Sequence, residues 1–344
     1  MAKRFFRTKT ADRPDLAAIG SASQLDVMGY VFHRIFPLMP VTESSGTISV
    51  AKPGLTNSKG QKGRADGEEI STSTVTRQDI NWSTARYEGR ALQYEKDASA
   101  YETEEDADAA GAEEAQRLAW NKAEDTAFAK VFTAARKSGA TTLADHAVVK
   151  TLQKKAKALR KFGKPTLVMT TNTWFDFVEI PEIRYRLEKL AGAGNDVGFI
   201  MTDLPKVRAA VSSFMQFNDI LVFDSDIVDV GGTFDGCIAV IGLRPEAMDN
   251  AHRVAKAKAV YGWTPMYIPE GAPADKPFDM RSHYSDDKKA NVYDAEAFFE
   301  PTEAFSAAVA MCKFADSYTE YAVPNVNVQQ APDGGGQGGG GVAG

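Results

Sequence analysis

The sequence predicts an α+β fold, and three observations carry that prediction. A proline-free stretch from Thr103 to Lys137 reads as one long capped helix. Residues 166–242 alternate short apolar strands with helical segments. Residues 43–97 and the stretch from Tyr261 onward have β character, and the first of these is poor in core residues.

Composition sets outer limits. At 344 residues, 43% hydrophobic and 25% charged, the chain can bury the core of one large or two smaller globular domains. No apolar run approaches the roughly 18 residues of a membrane-spanning helix. Met1 to Thr10 is basic but has no apolar core of a secretory signal, so cytoplasmic synthesis is expected. The formal charge of -6 argues against wrapping nucleic acid over the whole surface and leaves local basic faces open. Cys237 and Cys312 lack CxxC spacing and read as plain core thiols. His33, His146, His252 and His283 are scattered, so neither a metal site nor a cofactor site is expected.

Residues 1–42 read as an arm, basic and polar at first, then apolar from Val27 to Phe36. Pro37 and Pro40 hold Leu38 and Met39 extended, because each ring fixes its own φ and turns the preceding residue away from helix. From Glu43 to Asp97 only seven residues are Val, Ile, Leu, Met or Phe. So few apolar groups cannot bury a core of their own. Strand patterning at Thr47 to Val50 and Ser71 to Trp82 nevertheless argues for order, so another subunit is the expected support. The middle, with Gly54, Gly60, Gly63 and Gly67 among Lys52, Lys59, Lys62 and Arg64, suits a hairpin tip. Phe36 and Trp82 are the expected intersubunit anchors, because large apolar groups in core-poor segments need a covering surface. Packing within their own subunit is the alternative for both.

Thr103 caps the long helix, Glu104, Glu105 and Asp106 suit its positive end, and Arg136 and Lys137 suit its negative end before Gly139. At 1.5 Å per residue it is about 50 Å long. Ala115, Ala119, Ala123, Ala127, Val131 and Ala135 form a smooth stripe, flanked by Leu118, Phe128 and Phe132, that can lie close against a sheet. The next helix, from Asp145, has Val148, Leu152, Ala156 and Leu159 on one face and Lys150, Lys154, Lys155, Lys157, Arg160 and Lys161 elsewhere. Nucleic-acid contact is the sharper reading of those cations; a solvated face or intersubunit ion pairs is the plainer and preferred one. Strands follow at 166–169, 219–223 and 238–242, with helices at 172–178, where Asn172 is the expected cap, at 182–190 and at 204–215. Strands are expected again at 261–268, 280–284 and 291–299, and the glycine-rich residues 334–344 read as a flexible tail.

Asp229-Val-Gly-Gly-Thr-Phe-Asp-Gly resembles the phosphate-binding hairpin of the sugar kinase, actin and hydantoinase superfamily. An enzyme reading would use Asp229, Gly231, Gly232 and Thr233. Its position opens no domain, so a plain hairpin turn is preferred. No P-loop, GxSxG elbow or GxGxxG turn is present, and no catalytic residue is expected.

The order of parts is itself informative: basic arm, Phe36-Pro37-Leu38-Met39-Pro40-Val41, core-poor hairpin, long capped helix, α/β unit, returning β segment. In this order the chain resembles the tailed-phage major capsid proteins of the Hong Kong 97-like fold. The resemblance implies an N-terminal arm over 1–42 and an extended loop over 43–97. It implies a peripheral domain with a spine helix over 98–139 and 255–325 and an axial domain over 140–254; the tail over 326–344 is read from its glycine-rich composition and has no counterpart in the resemblance. The resemblance further implies self-assembly as pentamers and hexamers into an icosahedral virion shell around DNA held without sequence-specific contacts, with the chain made in the host cytoplasm. Portal and decoration proteins, and a separate scaffold or none, would be partners; no membrane is involved. Intersubunit contact is expected at Phe36, Lys59, Lys62, Arg64 and Trp82. Some family members crosslink through a loop lysine, for which Lys59 and Lys62 are the candidates, although a solubilising loop tip explains both. An encapsulin-type compartment is the alternative within the same fold.

Overall fold

A computed structural model of the chain describes residues 11–12, 16–18, 25–52, 77–191, 204–228, 232–243, 261–268 and 277–319. The expected hairpin tip with Lys59, Lys62 and Arg64, the start of the expected strand at 71–76, and the glycine-rich tail lie outside them.

The first sheet is built on β12 (Ala290–Phe299). β5 (Ala85–Tyr94) pairs antiparallel along one whole edge of it, from Ala290 opposite Tyr94 to Phe299 opposite Ala85. β11 (Asp279–Ser285) lines the other edge up to Glu296, and β10 (Gly262–Tyr267) takes over at Phe299. The end of the arm joins this sheet. β2 (Leu38–Val41) runs parallel to β10, with Leu38 opposite Thr264, and the short β1 (Ala11–Asp12) pairs with β11. Pro40 is tolerated because β2 is an edge strand that needs bonds on one side only.

Helix α1 (Phe32–Ile35) precedes β2, and α2 (Glu104–Val131) lies across the sheet. A capping box starts α2: the Thr103 side chain accepts the Asp106 N–H, and Asp106 accepts the Thr103 N–H. The expected continuous helix to Lys137 is interrupted. It ends at Phe132, and Thr133 caps a new short helix, α3 (Ala134–Ser138), by accepting the Arg136 N–H. Arg136 then donates back to the carbonyls of Lys130 and Val131, the last orphan acceptors of α2. The break places a guanidinium on carbonyls that have no partner within α2 itself.

Five strands form the second sheet, in the order β6-β14-β9-β7-β8. β7 (Lys164–Thr170) pairs parallel to β8 (Asp219–Phe223) and antiparallel to β9 (Cys237–Leu243). β14 (Val309–Lys313) pairs with β9 and with β6 (Thr141–Thr142). Residues 309–313, grouped by the sequence reading with the spine helix, therefore belong to this sheet. Helices α4 (Val148–Leu159), α5 (Thr171–Glu179), α6 (Pro181–Ala191) and α7 (Leu204–Met215) pack around it. The cap of α5 is Thr170, whose side chain accepts the Thr173 N–H; Asn172 lies inside the helix.

The α2 helix joins the two sheets. Its end carries Phe128 stacked on Phe132 at 4.4 Å, and Phe128 meets Phe223 of β8 edge-on at 5.2 Å.

Candidate assembly surfaces

The arm is clamped to α2 by polar groups buried among aromatics. Glu124 is 1% exposed and accepts the backbone N–H groups of Val31 at 3.0 Å and Phe32 at 2.9 Å, closing the start of α1. Burial, with a smaller push from the Asp224 charge, raises its carboxyl to about 7. The Tyr30 hydroxyl reaches Asn121 Oδ1 at 2.6 Å, and Gln116 donates to the Leu16 carbonyl at 2.9 Å. Around these bonds, Phe32 packs on Trp120 and Trp120 stacks on Phe299. Leu16, Leu25, Tyr30, Phe32, Ile35 and Phe36 are all buried. The described part of the arm is thus integral to its own subunit.

Strands β3 (Ser45–Ala51) and β4 (Arg77–Ser83) form a two-stranded ribbon that pairs with neither sheet. One face is polar, with Thr47 bonded to Asn81 at 2.8 Å. On the other face Ile48 and Val50 are buried, but Ile80 and Trp82 are only half-buried. The sequence reading expected another subunit to support this segment; the described base of the ribbon rests partly on its own chain. The cover over Ile80 and Trp82 is incomplete.

The sheet face opposite α2 is charged. Arg90 pairs with Asp294 directly across the strands, and Arg86 with Glu296 at 2.7 Å. With Arg281 and Asp279 they line a cleft of about 420 Å³.

Phe36 is fully buried in its own subunit, 5.0 Å from the Tyr261 ring and against Gly262, so it takes the second of its two expected roles. Trp82 lies over Gly46 and keeps exposed surface. Asp229 and Gly231 lie outside the described residues, while Gly232 and Thr233 are exposed in a turn. The strands flanking that turn, β8 and β9, lie on opposite sides of β7 and do not pair with each other. The expected hairpin is therefore absent, and with it the frame that the phosphate reading needs. Ile227 and Val228 lie in a turn closed by bonds to the Asp224 carbonyl. No cluster of metal-binding side chains occurs among the described residues. None of the described helices is long and apolar enough to cross a membrane.

No protein-family model matches the chain, and no curated protein is similar to it. Among solved structures, a phage-related protein from Bordetella bronchiseptica RB50 is similar at 14% identity and a TM-score of 0.58, over 89% of this chain and 98% of the other. The two chains share a fold. A capsid of the cyanophage P-SCSP1u is similar at 9% identity and TM-score 0.45, over 84% and 89%. A virus-like particle from Pyrococcus furiosus follows at 9% and 0.43, over 86% and 97%. At these TM-scores neither weighs in the reading of this chain.

Sequence patterning alone missed the second buried row of α2. Ala112, Gln116, Trp120, Glu124 and Phe128 recur every four residues beside the alanine stripe, and all are buried. Gln116 and Glu124 conceal this row from any apolar count. An i+4 row mixing two aromatic rings with two lone polar groups is the signal that was available.

Proposed function

We propose that this chain is a tailed-phage major capsid protein, whose copies assemble as pentamers and hexamers into an icosahedral shell enclosing a double-stranded DNA genome. One observation carries the reading: a two-stranded ribbon outside both sheets leaves Ile80 and Trp82 half-covered on its apolar face. Such a ribbon has little stability alone, and a neighbouring copy supplies the missing cover at every position of a closed symmetric shell. The Hong Kong 97-like fold is compatible with this function but does not by itself imply it. In this reading α2 with the first sheet forms the peripheral domain, the second sheet forms the axial domain, and Trp82 with Lys59, Lys62 and Arg64 of the loop meets an adjacent subunit. The mature chain resides in the virion. Portal, decoration and scaffold proteins would act on the assembled shell, and no catalysis is required.

The test is negative-stain microscopy and light scattering of the chain expressed alone. Closed shells or capsomer rings are expected. A stable monomer or dimer, even with crude phage or host factors added, would remove the reading. Shells that copurify with a protein cargo and no nuclease-protected DNA would instead assign an encapsulin-type compartment.

A further inference from the structure

The strongest unassigned surface is on α4. Its apolar side, Val148, Leu152, Ala156 and Leu159, is buried against the second sheet. The opposite side carries Lys150, Lys154 and Lys157 at successive turns, and Lys161 continues the spacing into the turn that follows. All four are exposed, and no described carboxylate forms an ion pair with any of them. Lys161 lies 5.2 Å from the Phe162 ring. The row spans about 16 Å at 1.5 Å per residue.

The surroundings reinforce this charge. Of the elements packed on α4, β7 adds Lys164, β14 adds Lys313, and α7 adds Lys206 and Arg208. Helix α6 adds Arg184, Arg186 and Lys189 with Glu182 and Glu188. Glu182 is buried and occupied by the Val148 N–H at 2.7 Å and by Arg186, and Glu188 is held by Arg184 at 3.2 Å. The net effect is a local cationic strip on a chain whose formal charge is -6.

Lysine is depleted in protein–protein interfaces, which favour aromatic residues, Met and Arg around an apolar centre. Here every charge in the row is a lysine, and the residues between them outside the buried face are Thr151, Gln153, Lys155, Ala158 and Arg160. A row of evenly spaced point charges without a cavity suits a polymer of phosphates better than a single anion. We propose that Lys150, Lys154, Lys157 and Lys161 bind double-stranded nucleic acid through its phosphate backbone, without reading sequence. Four phosphate contacts give a weak, salt-labile hold that lets the duplex slide.

The test titrates the full chain, in whatever assembly state it adopts, against a fluorescent random-sequence duplex of about 30 base pairs. From about 50 to 200 mM salt the affinity should fall about a hundredfold, with a log–log slope near -3.6 for four contacts. Replacing all four lysines by Gln, which keeps helix propensity, should abolish most of that slope, and replacing them by Arg should preserve it. If the Gln variant does not fold, Lys150→Gln and Lys154→Gln alone should each reduce the slope by about 0.9. No binding at about 50 mM salt, or an unchanged slope in the folded variants, would overturn the proposal. So would a Gln variant that binds duplex normally but loses self-association, because the row would then be a contact between copies. Shell formation is read separately by microscopy, so either conclusion can fail without the other.

Discussion

Glu124, in the middle of the long α2 helix, accepts the backbone N–H of Val31 at 3.0 Å and so fastens the arm to the helix by a buried carboxylate. Phe32 donates to the same group at 2.9 Å. The second sheet repeats the device, with Glu182 of α6 accepting the Val148 N–H at the start of α4. In both places a side chain remote in sequence closes a helix that lacks a side-chain cap of its own. Each joins two elements that local propensity alone would not hold together.

The Glu124 carboxyl, pushed up to about 7 by burial, holds its proton more tightly folded than unfolded. Its stabilising contribution is therefore complete below the ordinary carboxylate range and is lost as pH rises through about 7. The swing is about 3 kcal/mol. Glu124→Gln mimics the protonated group, so it should match the wild type near pH 4 and be the more stable protein above about pH 7.5. Glu124→Ala leaves two buried N–H groups unmatched and should destabilise by about 2–4 kcal/mol throughout. Denaturant unfolding of the three proteins across that range checks both statements; a Gln variant that tracks the wild type above pH 7.5 would refute the first.

Gly89 lets the helix approach the sheet. A Cβ there would overlap the Ala115 carbonyl of α2, and backbone cannot swing aside as a side chain can. Gly89→Ala should therefore cost on the order of 3 kcal/mol or more by forcing α2 off β5. Gly111→Ala presses instead on the buried Tyr293 ring, a side chain in place of backbone and a less severe overlap, and should cost less. Thermal unfolding of both variants tests the order.

Much of this fold was legible because local signals agreed. The Thr103 cap, the alanine stripe and the strands at 166–169, 219–223 and 291–299 each follow from spacing or end chemistry. The break at Phe132 was not legible, since it depends on Arg136 folding back onto the carbonyls of Lys130 and Val131. Nor was the pairing of β14 with β9, a contact between residues about 70 apart in sequence that no periodicity records. Of the candidate contact residues, Phe36 looked like an anchor because it is a large apolar group in a core-poor segment. Its cover, Tyr261, comes from far along the chain.

The two cysteines should behave as inert core thiols. Cys312 faces Ile238 across the strands while Cys237 faces Lys313, so alternation puts their side chains on opposite faces of the sheet. No bridge can join them without moving a strand. Burial raises both thiols, Cys312 to about 11, which keeps them protonated and unreactive. A thiol reagent at pH 8 should label neither in the native protein and both after denaturation; fast native labelling of Cys312 would contradict its place in the core.

Phe36 and Trp82 should separate stability from assembly. Phe36 is fully buried within its own subunit, so Phe36→Ala should destabilise the monomer by about 3–5 kcal/mol and lower soluble yield before assembly begins. Trp82 is half-buried on a ribbon that pairs with neither sheet, so Trp82→Ala should cost the monomer about 1 kcal/mol or less. At an interface between copies the same truncation should cost about 2 kcal/mol or more per contact, and a closed shell repeats that loss at every subunit. Denaturant unfolding of unassembled protein, set beside light scattering of the assembly reaction, measures the two effects separately. A Trp82→Ala protein that assembles at the wild-type concentration would mean that the ribbon's apolar face is completed by its own chain.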